Sequence, residues 1–253
     1  MMTSGKDADH GVNPILKVNN VTKKFGELVA VNGLSFTVEK GQVFGIAGPN
    51  GAGKSTVYNL ITGFYPFEGR IEFDGRDISG LQPHRISQLG ISRTFQIPQT
   101  FPSLTVEESI SVGNRFGAQG RFDPAYVEEI IRFLDMRAIR QQPTGQLNLL
   151  GKKKLMMGAA LATRPKILML DEPMAGSNAN EIKDLMDFIR RINEDMGVTI
   201  IIIEHFMKVL TELTETLLMI ETGSEICCGD PVTVTSDPRV IESYLGDAYA
   251  EGN

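Results

Sequence analysis

Gly48-Pro49-Asn50-Gly51-Ala52-Gly53-Lys54-Ser55-Thr56 decides how the rest of the chain is read. The stretch has the form G-x-x-x-x-G-K-[ST], a phosphate-binding loop. Gln42-Val43-Phe44-Gly45-Ile46-Ala47 before it is a short apolar run with the character of a strand. Val57-Tyr58-Asn59-Leu60-Ile61 after it continues as a helix until Gly63. The motif requires strand, glycine loop and helix start in this order. Glycines let the main chain curl so that several N–H groups face one anion, and the helix N-terminus adds positive character. In such a loop Lys54 sets a charge between the outer two phosphates and the Ser55 hydroxyl holds Mg2+.

Composition narrows the classes. The 253 residues can bury a sizeable core, and 22% charged with 42% hydrophobic residues is ordinary for a globular protein. A net charge of −6 leaves no basic footprint, so nucleic acid is not an expected partner. Apolar runs all fall short of the ~20 residues that cross a bilayer. Residues Met1 to Asn13 are polar, lack the apolar core of a secretion signal and read as a loose tail. Cys227 and Cys228 are adjacent, which rarely suits a disulfide, and read as reduced side chains on opposite faces of a strand or as a reactive or metal-binding pair.

Outward from the loop, the pattern is α/β. Ile15 to Phe25 and Val29 to Val38 alternate between apolar and polar and predict a small antiparallel sheet. Phe25, beside Gly26, is placed either to stack on a base or to fill the core. Gly69 to Gly75 reads as a strand entering a turn, Pro83 to Leu89 as a helix ended by Gly90, and Ile91 to Ile97 as the segment carrying Gln96. Thr105-Val106-Glu107-Glu108 is a capping box opening a helix through Val112, and Asp123-Pro124 opens another, with Val127, Ile130, Ile131 and Leu134 on one face. Residues 98–150 therefore read as a helical insert in an α/β body spanning 14–253, with Gly113, Gly117 and Gly120 loosening the link between its helices. A helix is expected over Lys154 to Ala162.

Ile167-Leu168-Met169-Leu170 and Val198 to Ile203 are unbroken apolar runs, the mark of parallel strands buried on both faces. Between them, Ile182, Leu185, Met186, Ile189 and Ile192 share one face of a helix. A hairpin around Thr222-Gly223 and a helix over Pro238 to Leu245 complete the chain. A mostly parallel sheet puts its ligand at the carboxyl ends of the strands. Asp171, Glu172 and His205 lie directly past the two buried strands and share that edge with the glycine loop. Asp171 suits a Walker B aspartate that holds Mg2+. Glu172 suits a base that takes a proton from water, and His205 a hydrogen-bond donor to a terminal phosphate. A neutral amide such as Gln96 can coordinate a cation or orient water, although its spacing alone marks it only as a loop residue.

Together these residues resemble the ATP-binding subunit of ABC transporters, from about Leu16 to Leu245. The resemblance implies an ABC-type P-loop NTPase fold: a mostly parallel core sheet, an N-terminal antiparallel β subdomain and a helical insert. It implies that Gln96 lies in the Q-loop, holds Mg2+ and faces a transmembrane partner. It also implies that Phe25 packs on adenine, and that Gly176-Ser177-Asn178 forms the D-loop with Asn178 in place of aspartate. Asp74-Gly75-Arg76-Asp77-Ile78, Gly90 to Gln96 and Asp237 to Gly246 are similar to the branched-chain amino acid importers.

The resemblance further implies a cytoplasmic-face ATPase that binds ATP and Mg2+. Its partners would be a second ATP-binding subunit, two permease subunits and, indirectly, an extracytoplasmic solute-binding protein. One segment departs from the family. Its signature L-S-G-G-Q corresponds to Leu147-Asn148-Leu149-Leu150-Gly151, where leucines replace glycines. The neighbouring Lys152-Lys153-Lys154 reads as a solvated charge run, or as positive charge supplied to that segment. Other readings are a cytosolic ABC-type machine, a small-molecule kinase and a nucleotide-gated binding module. The first has no heptad run among the 116 residues (55 to 170) between Lys54 and Asp171. The second is opposed by Glu172 with His205, and the third by the retained Glu172. The transported solute is not legible in this chain.

Overall fold

The computed structural model describes residues 14–117 and 120–243. In chain order the elements are β1 (Pro14–Phe25), β2 (Leu28–Glu39), β3 (Val43–Ala47), α1 (Lys54–Ile61), β4 (Glu68–Phe73), β5 (Arg76–Asp77), α2 (Pro83–Leu89) and β6 (Ile91–Arg93). There follow α3 (Val106–Phe116), α4 (Pro124–Phe133), two short 3-10 turns, α5 (Leu149–Leu161) and β7 (Ile167–Asp171). The remainder is α6 (Ala179–Met196), β8 (Thr199–Ile203), α7 (Met207–Leu213), β9 (Thr216–Glu221), β10 (Ser224–Gly229) and α8 (Pro231–Thr235).

Two sheets result. One is antiparallel, in the order β2-β1-β4-β5. The other runs β10-β9-β3-β8-β7-β6 and is parallel except for its edge strand β10. The buried runs of the sequence are its central strands. Phe44, Ile46, Met169, Ile201 and Ile203 point into a core shared with the antiparallel sheet. Leu168, Leu170, Ile200 and Ile202 point the other way, into a core shared with the helices. Burial on both faces explains why these strands lack alternation.

The helical layer forms for local reasons visible in the sequence. Thr105 and Glu108 make the full capping box of α3, and Asp123 caps α4 through the amides of Ala125 and Tyr126. Three expectations are corrected. Gly113 does not loosen a connection: it lies inside α3, where a Cβ would stand 2.1 Å from the Ala159 carbonyl oxygen on α5. Gly117 is the same case, since a Cβ there would lie 2.4 Å from Thr163 Cα. Both are small because the chain segments touch. Helix α5 begins five residues before the expected Lys154, because the Asn148 side chain accepts from the Gly151 amide and starts the helix there. Lys153 is not solvated; it is 2% exposed. The expected tail and the last two residues of the expected Pro238–Leu245 helix fall outside the described residues, while 238–243 are helical. Cys227 and Cys228 both lie on β10 and are unpaired.

Tyr58 links the two halves of the core. It is fully buried on α1, with its hydroxyl 3.0 Å from the Leu170 carbonyl oxygen and 2.7 Å from that of Ile201. Burial, then the Asp171 charge, pushes its pKa well above the usual 10.0. An unfolded tyrosine ionises above that pH while the folded one does not. Stability contributed by the buried hydroxyl is therefore complete below pH 10 and declines as pH rises past it. Tyr58→Phe should lose about 1–3 kcal/mol near neutrality from the unpaired carbonyls. It should also remove a decline of up to ~1.4 kcal/mol per pH unit at alkaline pH. Urea titrations at pH 8 and above 10 check both.

Candidate nucleotide and catalytic site

The glycine loop leaves β3 and enters α1 at the carboxyl edge of the parallel sheet. Its shape depends on contacts that admit no side chain. Gly48 has φ +155° and Gly53 φ +103°. A Cβ on Gly48 would lie 2.1 Å from the Ile220 carbonyl oxygen, and one on Gly53 2.4 Å from that of Ala30. The loop is thereby clamped between β9 and β2. It floors a cavity of about 390 Å3 that also receives Phe25, Leu28, Glu172 and Thr222. The expected phosphate-loop residues Asn50, Gly51, Ala52, Gly53, Lys54, Ser55 and Thr56 all line it, while Gly48 and Pro49 do not. Lys54 is buried and donates from Nζ to the carbonyl oxygens of Gly48, at 2.5 Å, and Pro49, at 2.9 Å. Phe25 is 42% exposed at the cavity mouth. Tyr65 meets it edge-on at 5.2 Å and Lys23 Nζ lies 4.9 Å from its ring. A half-exposed ring at the mouth of a phosphate-binding cavity suits a base.

Three further chain segments bring polar groups to the same edge. Asp171 ends β7 and Glu172 follows it with φ +45°. That left-handed conformation costs about 1 kcal/mol for a residue with a Cβ. Its amide donates to the Ile203 carbonyl at 2.9 Å, which ties the turn to β8. Gln96, past β6, donates from Nε2 to Glu172 Oε2 at 2.6 Å. His205, past β8, has Nδ1 3.9 Å from Glu172 Oε2 and its ring against Phe206. Gln96, Glu172 and His205 thus form one cluster; position after a buried strand pointed to Glu172 and His205, and only the family resemblance pointed to Gln96.

Asp171 has a partner that sequence reasoning missed. Arg93 Nη2 meets Asp171 Oδ2 at 2.8 Å, with both side chains 10% exposed. Nη1 of the same arginine donates to Asn59 Oδ1 at 2.6 Å. The guanidinium lies 5.4 Å from the Tyr58 ring centre and 5.1 Å from that of Phe95. Only the position of Arg93 at the end of a strand neighbouring β7 could have signalled the pair. Glu204 was missed as well. It is wholly buried, accepts from the Met174 amide at 2.7 Å, and its carboxyl is held above the usual range mainly by burial.

The donors fit the ligands expected of them. Ser55, Asp171 and Gln96 offer a hydroxyl, one carboxylate and an amide oxygen. That all-oxygen set suits Mg2+ shared with phosphates rather than a cage made by protein alone. Asn178, at the expected D-loop, caps α6 through the amides of Asn180 and Glu181.

Residues 31–175 match the family model of the ABC transporter, and residues 225–250 that of the branched-chain amino acid ATP-binding cassette transporter. The chain belongs to the ABC transporter family. It is 36% identical to the high-affinity branched-chain amino acid transport ATP-binding protein BraF of Pseudomonas aeruginosa, over 93% of this chain and 99% of that one. It is 33% identical to a probable branched-chain amino acid transport ATP-binding protein, LivG, of Methanocaldococcus jannaschii, over 92% and 98% of the two chains. The ADP conformation of an ATP-binding cassette of an ABC transporter superimposes with a TM-score of 0.83 at 33% identity, covering 92% of this chain and 99% of that chain. A nucleotide-free ATP-binding cassette gives 0.82 at 33% identity, over 91% and 98%. The α/β ATPase fold is therefore that of an ABC subunit, and its activity is ATP hydrolysis.

Arg93→Met leaves the Asp171 carboxylate buried without a cation. Removing one partner of a buried pair costs about 3–5 kcal/mol. Asn59→Ala should cost only ~1 kcal/mol, one hydrogen bond. Urea unfolding of the nucleotide-free variants should show this order.

Proposed function

We propose that this chain is the ATP-hydrolysing subunit that energises import of branched-chain amino acids or a similar small solute. One observation carries the mechanism: Glu172, Gln96 and His205 converge beside the cavity floored by the glycine loop. In this reading the loop amides and Lys54 hold the triphosphate, and Phe25 covers the base. Ser55, Asp171 and Gln96 hold Mg2+, which when bound offsets phosphate charge. Glu172 takes the proton of the attacking water, and His205 donates to the γ-phosphate as charge develops there. Gln96 is placed to report the state of Glu172, because the two are hydrogen-bonded while the segment after it runs outward.

That outward segment supports a membrane partner. Ile97 is 70% exposed and Phe101 63%, and Phe116 on α3 is 71% exposed. Phe116, Val112 and Phe122 border a cleft of about 370 Å3. Apolar surface of this kind, next to Gln96, fits docking by a permease. Among the described residues no helix is long and apolar enough to cross a membrane itself. In this reading the chain binds peripherally, at the cytoplasmic face, to two permease subunits, with an extracytoplasmic solute-binding protein beyond them. A second ATP-binding subunit, related but different, would supply the opposing signature.

Glu172→Gln removes the base and keeps the side chain's size. Turnover by the variant should fall by about 10²–10⁴, while its ATP affinity stays within a few-fold of the parent's and its dimer becomes longer-lived in ATP. Near-normal hydrolysis would remove Glu172 from the base role. Membrane extraction of the tagged chain should bring integral permeases with it; recovery without them would oppose the transport reading.

A further inference from the structure

Outside the site just described, Lys153 is a buried cation. It lies on α5, five residues beyond the Asn148 cap, and is 2% exposed. Burying an ammonium is expensive unless its donors are used. Here they are: Nζ donates to the Ala175 carbonyl oxygen at 2.6 Å and to Ser177 Oγ at 2.7 Å. Ala175 is in turn bonded to the catalytic turn, its amide donating to the Glu172 carbonyl oxygen at 3.2 Å. The same loop is held from its other side by Glu204, which accepts from the Met174 amide at 2.7 Å and the His205 amide at 3.2 Å. Lys153 and Glu204 attract each other across the loop. Leu149, the first residue of α5, also reaches this loop: its Cδ2 lies 3.5 Å from where a Cβ of Gly176 would be. A hydrocarbon at position 153 would pack the helix at lower electrostatic cost. The ammonium instead spans two elements that carry different parts of the site.

We propose that Lys153 is a positioning residue that locks the loop after Glu172 to the signature-bearing start of α5. The catalytic carboxylate and the surface offered to the neighbouring subunit then move as one body. This rests on the reading of Glu172 as base and of residues 147–151 as the segment facing a partner's nucleotide. It adds a specific link between them, running from Asn148 along one turn of helix to Lys153, then to Ala175 and Glu172. Lysine suits the task because one nitrogen serves two acceptors and reaches them on a long stem.

The test compares Lys153→Met, which keeps the stem and removes the donors, with Lys153→Gln, which restores two N–H donors without the charge. Both are made in the full chain assembled with its transporter partners. Three quantities are read: kcat, the affinity of the isolated chain for ATP, and the thermal midpoint. Lys153→Met should lower kcat about tenfold, a coupling-sized effect. ATP affinity should stay within about twofold, since Lys153 touches no residue of the glycine loop. Lys153→Gln should recover most of kcat. The proposal is overturned if Lys153→Met leaves kcat unchanged. It is also overturned if kcat, ATP affinity and thermal midpoint all fall together and glutamine restores none of them, because the lysine is then only part of the packing. Failure here is separable from failure of the functional reading: if Glu172→Gln stops turnover while Lys153→Met does not affect it, only the link is lost.

Discussion

Two backbone contacts set the terms for the rest of the molecule. The loop after β3 passes so close to the carbonyl oxygens of Ile220 and Ala30 that neither Gly48 nor Gly53 has space for a Cβ. Close-packed interiors transmit such constraints without slack. The clamp comes from β9 in the parallel sheet and β2 in the antiparallel one, so the phosphate site exists only where the two sheets meet. This explains why the antiparallel sheet is packed so thoroughly against the central strands. It holds one wall of the loop as well as burying apolar surface, and Phe25 at the end of β1 is carried to the cavity mouth by the same arrangement.

Within that frame, several groups with an expected role already have partners inside the chain. Lys54 is bonded to carbonyls of its own loop, Gln96 to Glu172, and Asp171 to Arg93. At these groups nucleotide and metal would enter by exchange of bonds. At Lys54 and Gln96 exchange is energetically mild, because one hydrogen bond replaces another rather than being lost outright. It also keeps charged groups from lying buried and unpaired between turnovers, which would be far more costly.

Much of this was legible beforehand, and the reason differs by feature. The glycine loop, the capped starts at Thr105 and Asp123, and the unbroken apolar strands are local patterns, each read within a dozen residues. Asp171, Glu172 and His205 were legible because a parallel sheet delivers strand ends to one edge. Arg93, Glu204 and Lys153 were not. Their partners are 78, 30 and 22 to 24 residues away, and nothing in the local spacing distinguishes a buried cation from a solvated one. Gly113 and Gly117 misled for the same reason. A glycine that permits close packing and a glycine that permits flexibility are identical in sequence; only the position of Ala159 and Thr163 separates them.

The departure at residues 147–151 has a consequence for assembly. Asn148 uses its Oδ1 to cap its own helix, accepting from the Gly151 amide at 2.8 Å. Its amide nitrogen is a donor, so a hydrogen bond to a phosphate is still chemically available. A serine would have to cap and donate through a single oxygen, and the asparagine divides the two tasks between two atoms. Leu149 is 41% exposed in the first turn, where a glycine would let another chain's ligand reach the backbone amides. Leu150 is half-buried and packs against the helical core. The more exposed obstruction is therefore the Leu149 side chain. In a pair of identical subunits that side chain would stand over both nucleotides. In a pair with a different chain it would stand over one, while this subunit's own glycine loop, Glu172 and His205 could be completed by an unaltered signature. Intact hydrolytic groups beside an altered contribution to a neighbour favour the second arrangement.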